Sequence, residues 1–319
     1  VMLGLSGSLR AIDQLSITIH RLASAVWQAE QLHFHIDWPA GRDMGYRLAI
    51  ARLSSPALAQ PLTDLSLVCD TGEVSNAQIS CQRGRLHLPL PQLDQPAVDV
   101  SFVLDQYSGR LSGRLEHLLL AGGRAEVEFS LLEGDWQARI RGKGIKLASL
   151  FKAVPAAPQL PPDWTYGGRM DPDIHVSGRE QQLNQLTWQA GVAAMTFSDA
   201  AGMTVGEGLA GTLSGSLKRR AGHWEIRSDI SLQGGELLTP YGYLDAAAHP
   251  VQVEANLNAD ADFSKLLLLA SRVAAKDLLS IALRGEIHPA AAQPLQMLTL
   301  EMPPIKVAEL YRELLLPVL

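Results

Sequence analysis

The chain is poor in aromatic residues (6%), in charge (19%) and in cysteine (two), and it has no long apolar run. Each shortage excludes something. Scarce aromatics mean that the 47% of hydrophobic residues is mostly Leu, Val, Ile and Ala. No stretch of about 18 apolar residues occurs, so no segment reads as a membrane-spanning helix. The nearest run, Leu266 to Ala275, is cut by Ser271 and Arg272. Basic residues are not in excess: 27 Lys/Arg stand against 33 Asp/Glu, for a net charge of −6. Up to Gln159 the signs balance at 15 each, and beyond it 12 basic residues face 18 acidic ones. That is not the footprint of a nucleic-acid binder. There is no Ser nucleophile elbow, CxxC pair or HExxH motif. The pairs Gly122-Gly123 and Gly234-Gly235 do not open a helix, so they do not read as phosphate cradles. The sequence therefore offers no catalytic residue, no cofactor site and no nucleic-acid partner.

What is abundant is strict alternation, the mark of half-buried strands. Leu32, Phe34, Ile36 and Trp38 alternate with Gln31, His33, His35 and Asp37. Val98, Val100, Phe102 and Leu104 form a second series, and Ala125, Val127, Phe129 and Leu131 a third. After a turn at Glu133-Gly134-Asp135 come Trp136, Ala138 and Ile140, which completes a hairpin signal. The stretch from Gly222 to Ile230, with Trp224 and Ile226, is its counterpart further on. More strands are expected at Leu15–Ile19, Tyr46–Ala51, Gly84–Leu88, Leu209–Leu217, Val251–Leu257, Leu278–Arg284 and Leu295–Glu301. Helical spacing is confined to Leu147, Leu150, Phe151 and Val154, to Val307, Leu310, Tyr311, Leu314 and Leu315, and to Phe263–Ala275.

Several strings recur. Trp27-Gln28-Ala29 returns as Trp188-Gln189-Ala190, and Ile145-Lys146-Leu147-Ala148-Ser149-Leu150-Phe151-Lys152 returns as Ile305-Lys306-Val307-Ala308-Glu309-Leu310-Tyr311-Arg312. Between them, Gly84-Arg85-Leu86 answers Gly235-Glu236-Leu237, and Val98-Asp99-Val100 answers Val251-Gln252-Val253. Repetition points to one module used twice. The expected fold is mainly β: two tandem β-meander modules, 1–154 and 163–319, each closed by a short helix. A Pro-rich joint at 155–162 separates them, and Trp164 begins the second.

Cys69 and Cys81 each lie on an alternating stretch. A turn near Ser75 would set them directly across a hairpin, where a disulfide would imply an oxidising compartment. The alternative is two buried free thiols. His33, His35 and Asp37 share a strand face that could hold a metal, but the second copy offers no matching residues, so a solvated polar face and no metal is the expectation. Asp171/Asp173 and Asp260/Asp262 read as turn carboxylates.

The remaining feature is the aliphatic face itself. Two one-sided meanders could close as a sandwich or curl side by side into a trough with an apolar lining. The trough, a curved groove, is the expected architecture. Its lining is expected to include Phe34, Ile36, Val127, Phe129, Leu131, Trp136, Ile140, Trp224 and Ile226.

The alternating short strands, the starts Gly134-Asp135-Trp136 and Gly222-His223-Trp224, the Cys69…Cys81-Gln82-Arg83-Gly84-Arg85-Leu86 segment and the module ending in a short helix together resemble the AsmA-like superfamily of bacterial envelope proteins, with its TamB and YdbH groups. The resemblance implies a periplasmic protein anchored in the inner membrane by an N-terminal helix. It also implies a β-groove that carries phospholipid or another acyl-chain lipid toward the outer membrane. The uncharged start Val1-Met2-Leu3-Gly4-Leu5-Ser6-Gly7 reads either as a first strand or as the end of such an anchor. The functional expectation is non-catalytic lipid transport or outer-membrane lipid homeostasis. The alternative is an envelope assembly scaffold that binds a protein partner. An outer-membrane barrel is disfavoured by the scarce aromatics and the helix-like end.

Overall fold

A computed structural model describes residues 14–24, 27–38, 44–55, 60–90, 93–153, 163–289, 291 and 293–316. The first thirteen residues and the Pro-rich joint lie outside them. Contacts divide the chain into two compact units, Val1–Leu118 with Glu128–Glu133, and Leu119–Val127 with Gly134–Leu319.

The first unit is an antiparallel meander of β1 (Gln14–Ala23), β2 (Gln28–Asp37), β3 (Met44–Ser54), β4 (Leu62–Val74), β5 (Gln78–His87), β6 (Ala97–Asp105) and β7 (Leu111–Leu120). Each strand pairs with the next. The last two residues of β7, Leu119 and Leu120, fall in the second unit, and those of β8 (Gly123–Leu132) are divided between the units. The second unit continues with β9 (Asp135–Lys143), β10 (Ile145–Lys146) and α1 (Leu147–Ala153). Four long strands follow: β11 (Thr165–Arg179), β12 (Gln182–Ser198), β13 (Val205–Arg220) and β14 (His223–Thr239). Then come β15 (Gly242–Asp245), β16 (Val251–Asp260), β17 (Leu266–Ala275), β18 (Leu279–Ile287) and β19 (Leu295–Glu301). The end is α2 (Val307–Leu310), which runs into a π-helical turn at Tyr311–Leu315. Both copies of the Ile-Lys string thus lead into a helix, as their spacing predicts.

All pairings in the second unit are antiparallel and most join successive strands; β15 and β16 both lie against β14 as one interrupted strand. The β11 strand pairs on its other side with β9 over Asp173–Arg179 and with β10 over Arg169–Met170. Pro172 falls in the gap between those two partners. A proline without an N–H is tolerated in a central strand only at such a break.

The structure corrects three local expectations. Phe263–Ala275 is not helical: Leu266–Ala275 is strand β17, paired with β16 and β18. A short continuous apolar run has no period that separates the two states, and the neighbouring strands decide. Asp171 and Asp173 lie within β11 rather than in a turn. Finally, the disulfide Cys69–Cys81 is present, with Cα atoms 5.8 Å apart, but its residues are not directly opposed. The turn sits at 75–78, so Cys69 faces Gly84 and Gly72 faces Cys81, with register shifts between them. These bulges bring the two sulfurs to one side of the hairpin. Both facing residues are glycines, and the room a β-carbon would take is filled. At Gly84 it would meet the Cys81 sulfur at 2.7 Å, and at Gly72 the Tyr46 ring at 2.6 Å and the Cys69 sulfur at 3.1 Å.

The first unit's core gathers Ile36, Tyr46, Leu67, Cys69, Cys81 and Val100, with Phe34, Leu48, Leu86, Phe102 and Leu115 packed around them. In the second unit, Val251, Ala275 and Leu278 are buried with Leu232, Leu244, Val253 and Leu314 against them.

Candidate functional site

Because strand side chains alternate between faces, the register decides what each face is made of. In the second unit one cross-strand row reads Ala138, Val176, Leu186, Leu217, Ile226, Leu257, Leu268, Gly285 and Leu298, one residue from each strand in pairing order. No polar side chain interrupts it. The row one residue over, on the opposite face, begins Gln137, Ser177, Gln185, Lys218, Glu225 and Asn258. In the first unit Ile17, Phe34, Leu48, Leu67, Leu86 and Val98 form the corresponding apolar row. Its polar neighbour is Ser16, His35, Arg47, Val68, Arg85 and Asp99. Each unit is therefore an antiparallel sheet with one aliphatic and one largely polar face.

Many side chains of the aliphatic face are only half-buried. Phe34, Leu48, Ile140, Ile226 and Leu257 are intermediate in exposure, and Ile17 on the edge strand is 42% exposed. The face is also flattened by aromatic rings lying over glycines. Trp136 faces Gly178, Trp188 faces Gly215 and Phe197 faces Gly206 across neighbouring strands, and in each case a β-carbon on the glycine would run into the ring. The Phe129 ring lies against Gly113 in the same way. Such pairs let a ring cover bare backbone.

The residues singled out in the sequence fall as follows. Phe34 and Ile36 lie on the first unit's aliphatic face; Ile36 is buried, and the Phe34 ring is 5.9 Å from that of Tyr46. Val127, Phe129 and Leu131 are on β8, and Leu131 is 40% exposed. Trp136 covers Gly178 and donates its indole N–H to the Glu180 carbonyl at 3.1 Å. Ile140 faces Ile174. Ile226 stands in the long aliphatic row. Trp224 is buried at the strand's start, between the Phe263 ring (6.0 Å) and the Arg219 guanidinium (5.8 Å). Trp136 and Ile140 share the face with Ile226 but stand four strands away, about 19 Å at the usual strand spacing. Sequence reasoning missed Val176, Leu186 and Leu268. The strand holding Val176 is masked by its Asp-Pro-Asp, and Leu268 sits in the run taken for a helix.

The polar faces hold ordinary ion pairs. Arg139 grips Asp173 with two hydrogen bonds, 2.9 and 2.6 Å, and this guanidinium holds the Asp173 carboxyl below the usual range. His35 Nδ1 meets Ser16 Oγ at 2.7 Å and its Nε2 meets Asp37 at 3.1 Å, while His33 Nδ1 meets Thr18 Oγ1 at 3.1 Å. Among the described residues no three His, Cys, Asp or Glu side chains gather as metal ligands. A cleft of about 350 Å³ on the first unit is lined by Asp70, Arg83, Arg85, Asp99 and Glu116, which mixes both signs and selects neither kind of ion.

The chain matches no family model, no curated protein and no solved structure.

Proposed function

We propose that this is a non-catalytic lipid carrier of the bacterial envelope, of the AsmA-like kind, whose aliphatic sheet face forms a groove that shields acyl chains from water. The reading rests above all on the unbroken aliphatic row from Ala138 to Leu298, opposite a row that is polar from Gln137 to Asn258 and broken only by Leu267 and Met297 beyond it. The driving force is burial. Each CH₂ withdrawn from water contributes about 0.8 kcal/mol without any directional bond, so a chain is held but not fixed in place. The Cys69–Cys81 disulfide is consistent with an oxidising compartment, and the periplasm is the proposed location, with an inner-membrane anchor in the whole protein. The groove is proposed to be a duplicated module. Gly84–Leu86 and Gly235–Leu237 fall on β5 and β14, and Val98–Val100 and Val251–Val253 on β6 and β16. Three strands then separate β6 from the first helix's entry string and β16 from the second's.

The test is photo-crosslinking from a benzophenone side chain at Phe129 and at Ile226, one in each unit, with Arg47 and Ser216 on the polar faces as controls. Phospholipid adducts at the first two positions and not at the controls are expected. Adducts at neither sink the proposal. A scaffold role is the second reading, favoured by the β19 edge, where Leu295, Met297 and Leu300 are all more than half exposed. Protein purified gently without any bound phospholipid would favour it.

A further inference from the structure

The C-terminal helical turn rests on the sheet through Leu314. Between it and strands β16 to β18 is a cavity of about 400 Å³, in the second unit. Val251, Val273, Ala275 and Leu279 form its floor and Leu310 its roof, and Leu314 bounds it where it comes down onto the buried Val251, Ala275 and Leu278. The β14–β15 hairpin supplies one wall, and the helix seals against it where the Leu314 carbonyl lies 2.9 Å from the place of a β-carbon on Gly242. Tyr241, 87% exposed, and Tyr243 stand beside this wall. Among the described residues lining the cavity there is no Lys or Arg, and the polar groups are limited to Thr239 and the two phenols. Water gains few hydrogen bonds in such a space, and apolar cavities of this kind take apolar guests.

We infer that this cavity is an end-stopped site for a single acyl chain, with the headgroup left in solvent. At about 30 Å³ per small group, the volume of a water in the liquid, it holds about thirteen methylenes. The absence of a lining cation argues against a free carboxylate drawn inside, because a buried unpaired charge is costly. The inference builds on the lipid-handling reading above and adds to it a defined site, a chain length and a headgroup preference. An open groove alone has no length limit; a cavity sealed at Gly242 does.

The test is calorimetric titration of the whole chain with lysophosphatidylcholines carrying saturated chains of eight to sixteen carbons, below their micellar concentrations. Affinity is expected to rise about fourfold per methylene and to level off near thirteen carbons. Ala275→Phe, which fills the floor, moves the break to shorter chains; Leu314→Ala, which opens that boundary, moves it to longer ones. Dodecanoate is expected to bind more weakly than the twelve-carbon lysolipid. A rise that continues to sixteen carbons overturns the inference, as does a break unmoved in either folded variant, or tighter binding of dodecanoate. Lipid crosslinks at Phe129 and Ile226 without a length break would leave the groove standing and remove the cavity site. Absence of both would remove the two together.

Discussion

At the scale of the residue, the glycines facing aromatic rings are the most exacting positions. A β-carbon at Gly215 would meet the Trp188 indole and come within 2.5 Å of the Arg227 carbonyl. Gly215→Ala is therefore expected to cost about 1–3 kcal/mol, as overpacking does, read from urea unfolding; Gly191→Ala, in open space, serves as the control. Tyr46 is buried, donates its hydroxyl to the Ser80 carbonyl at 3.1 Å, and has its pKa pushed up by burial to about 12. The fold favours the neutral phenol. Its contribution is complete below the ordinary value near 10 and is lost as pH rises from there to about 12, on the order of 3 kcal/mol in all. Tyr46→Phe should lower stability at neutral pH by about 1–2 kcal/mol, by stranding the carbonyl, and should flatten that alkaline decline. Asp173 works in the opposite sense. Its lowered pKa gives stability that is present above the ordinary carboxylate value and lost as pH falls through the folded one. Asp173→Asn should make the acid limb of the stability curve shallower. None of these contacts was legible in the sequence, because Gly215 and Trp188, or Tyr46 and Ser80, meet only through register.

Elements were easier to read, and where reading failed the cause is local. Alternation placed most of the strands, because a half-buried strand writes its period into the sequence, but it left β7, β12 and the short β10 and β15 unread. It failed at Leu266–Ala275, where a strand flanked on both sides has four consecutive leucines, and at β11, where Asp-Pro-Asp imitates a turn but fills a gap between two partners. The disulfide was legible as a pair, while its diagonal placement was not, since a bulge leaves no mark beyond Gly72 and Gly84. In the chain-entropy model a loop of this size contributes about 3 kcal/mol. The double change Cys69→Ala/Cys81→Ala should lose about that much in chemical unfolding of oxidised protein, and reductant should then have no further effect. Strand counting also sorts the repeats. Seven strands, β3 to β9, separate β2 from the first helix's entry string, but only six separate β12 from the second if β15 and β16 count as one. The Trp-Gln-Ala match is thus one strand out of frame with the other three.

For the whole molecule, composition already carried the main message: much aliphatic mass, little charge and few aromatics. What it could not supply is which aliphatic residues become neighbours. Val176, Leu186, Leu217, Ile226, Leu257 and Leu268 are spread over nearly a hundred residues of chain, and five separate registers align them. The two faces can be set against each other by experiment. Leu217→Asp, on the aliphatic face, is expected to reduce phospholipid recovered with the purified protein several-fold, whereas Ser216→Asp, one residue away on the polar face, should leave it unchanged; lipid mass spectrometry decides. The rings laid over glycines have a further consequence for any chain that rests there. Indoles standing upright would act as cleats, catching each passing methylene and making movement a series of hops. Set against the bare backbone of Gly178 and Gly215, they would offer a lipid of the proposed kind a low-friction track, so that its transfer rate would depend on how it gets on and off, and hardly at all on the distance it travels.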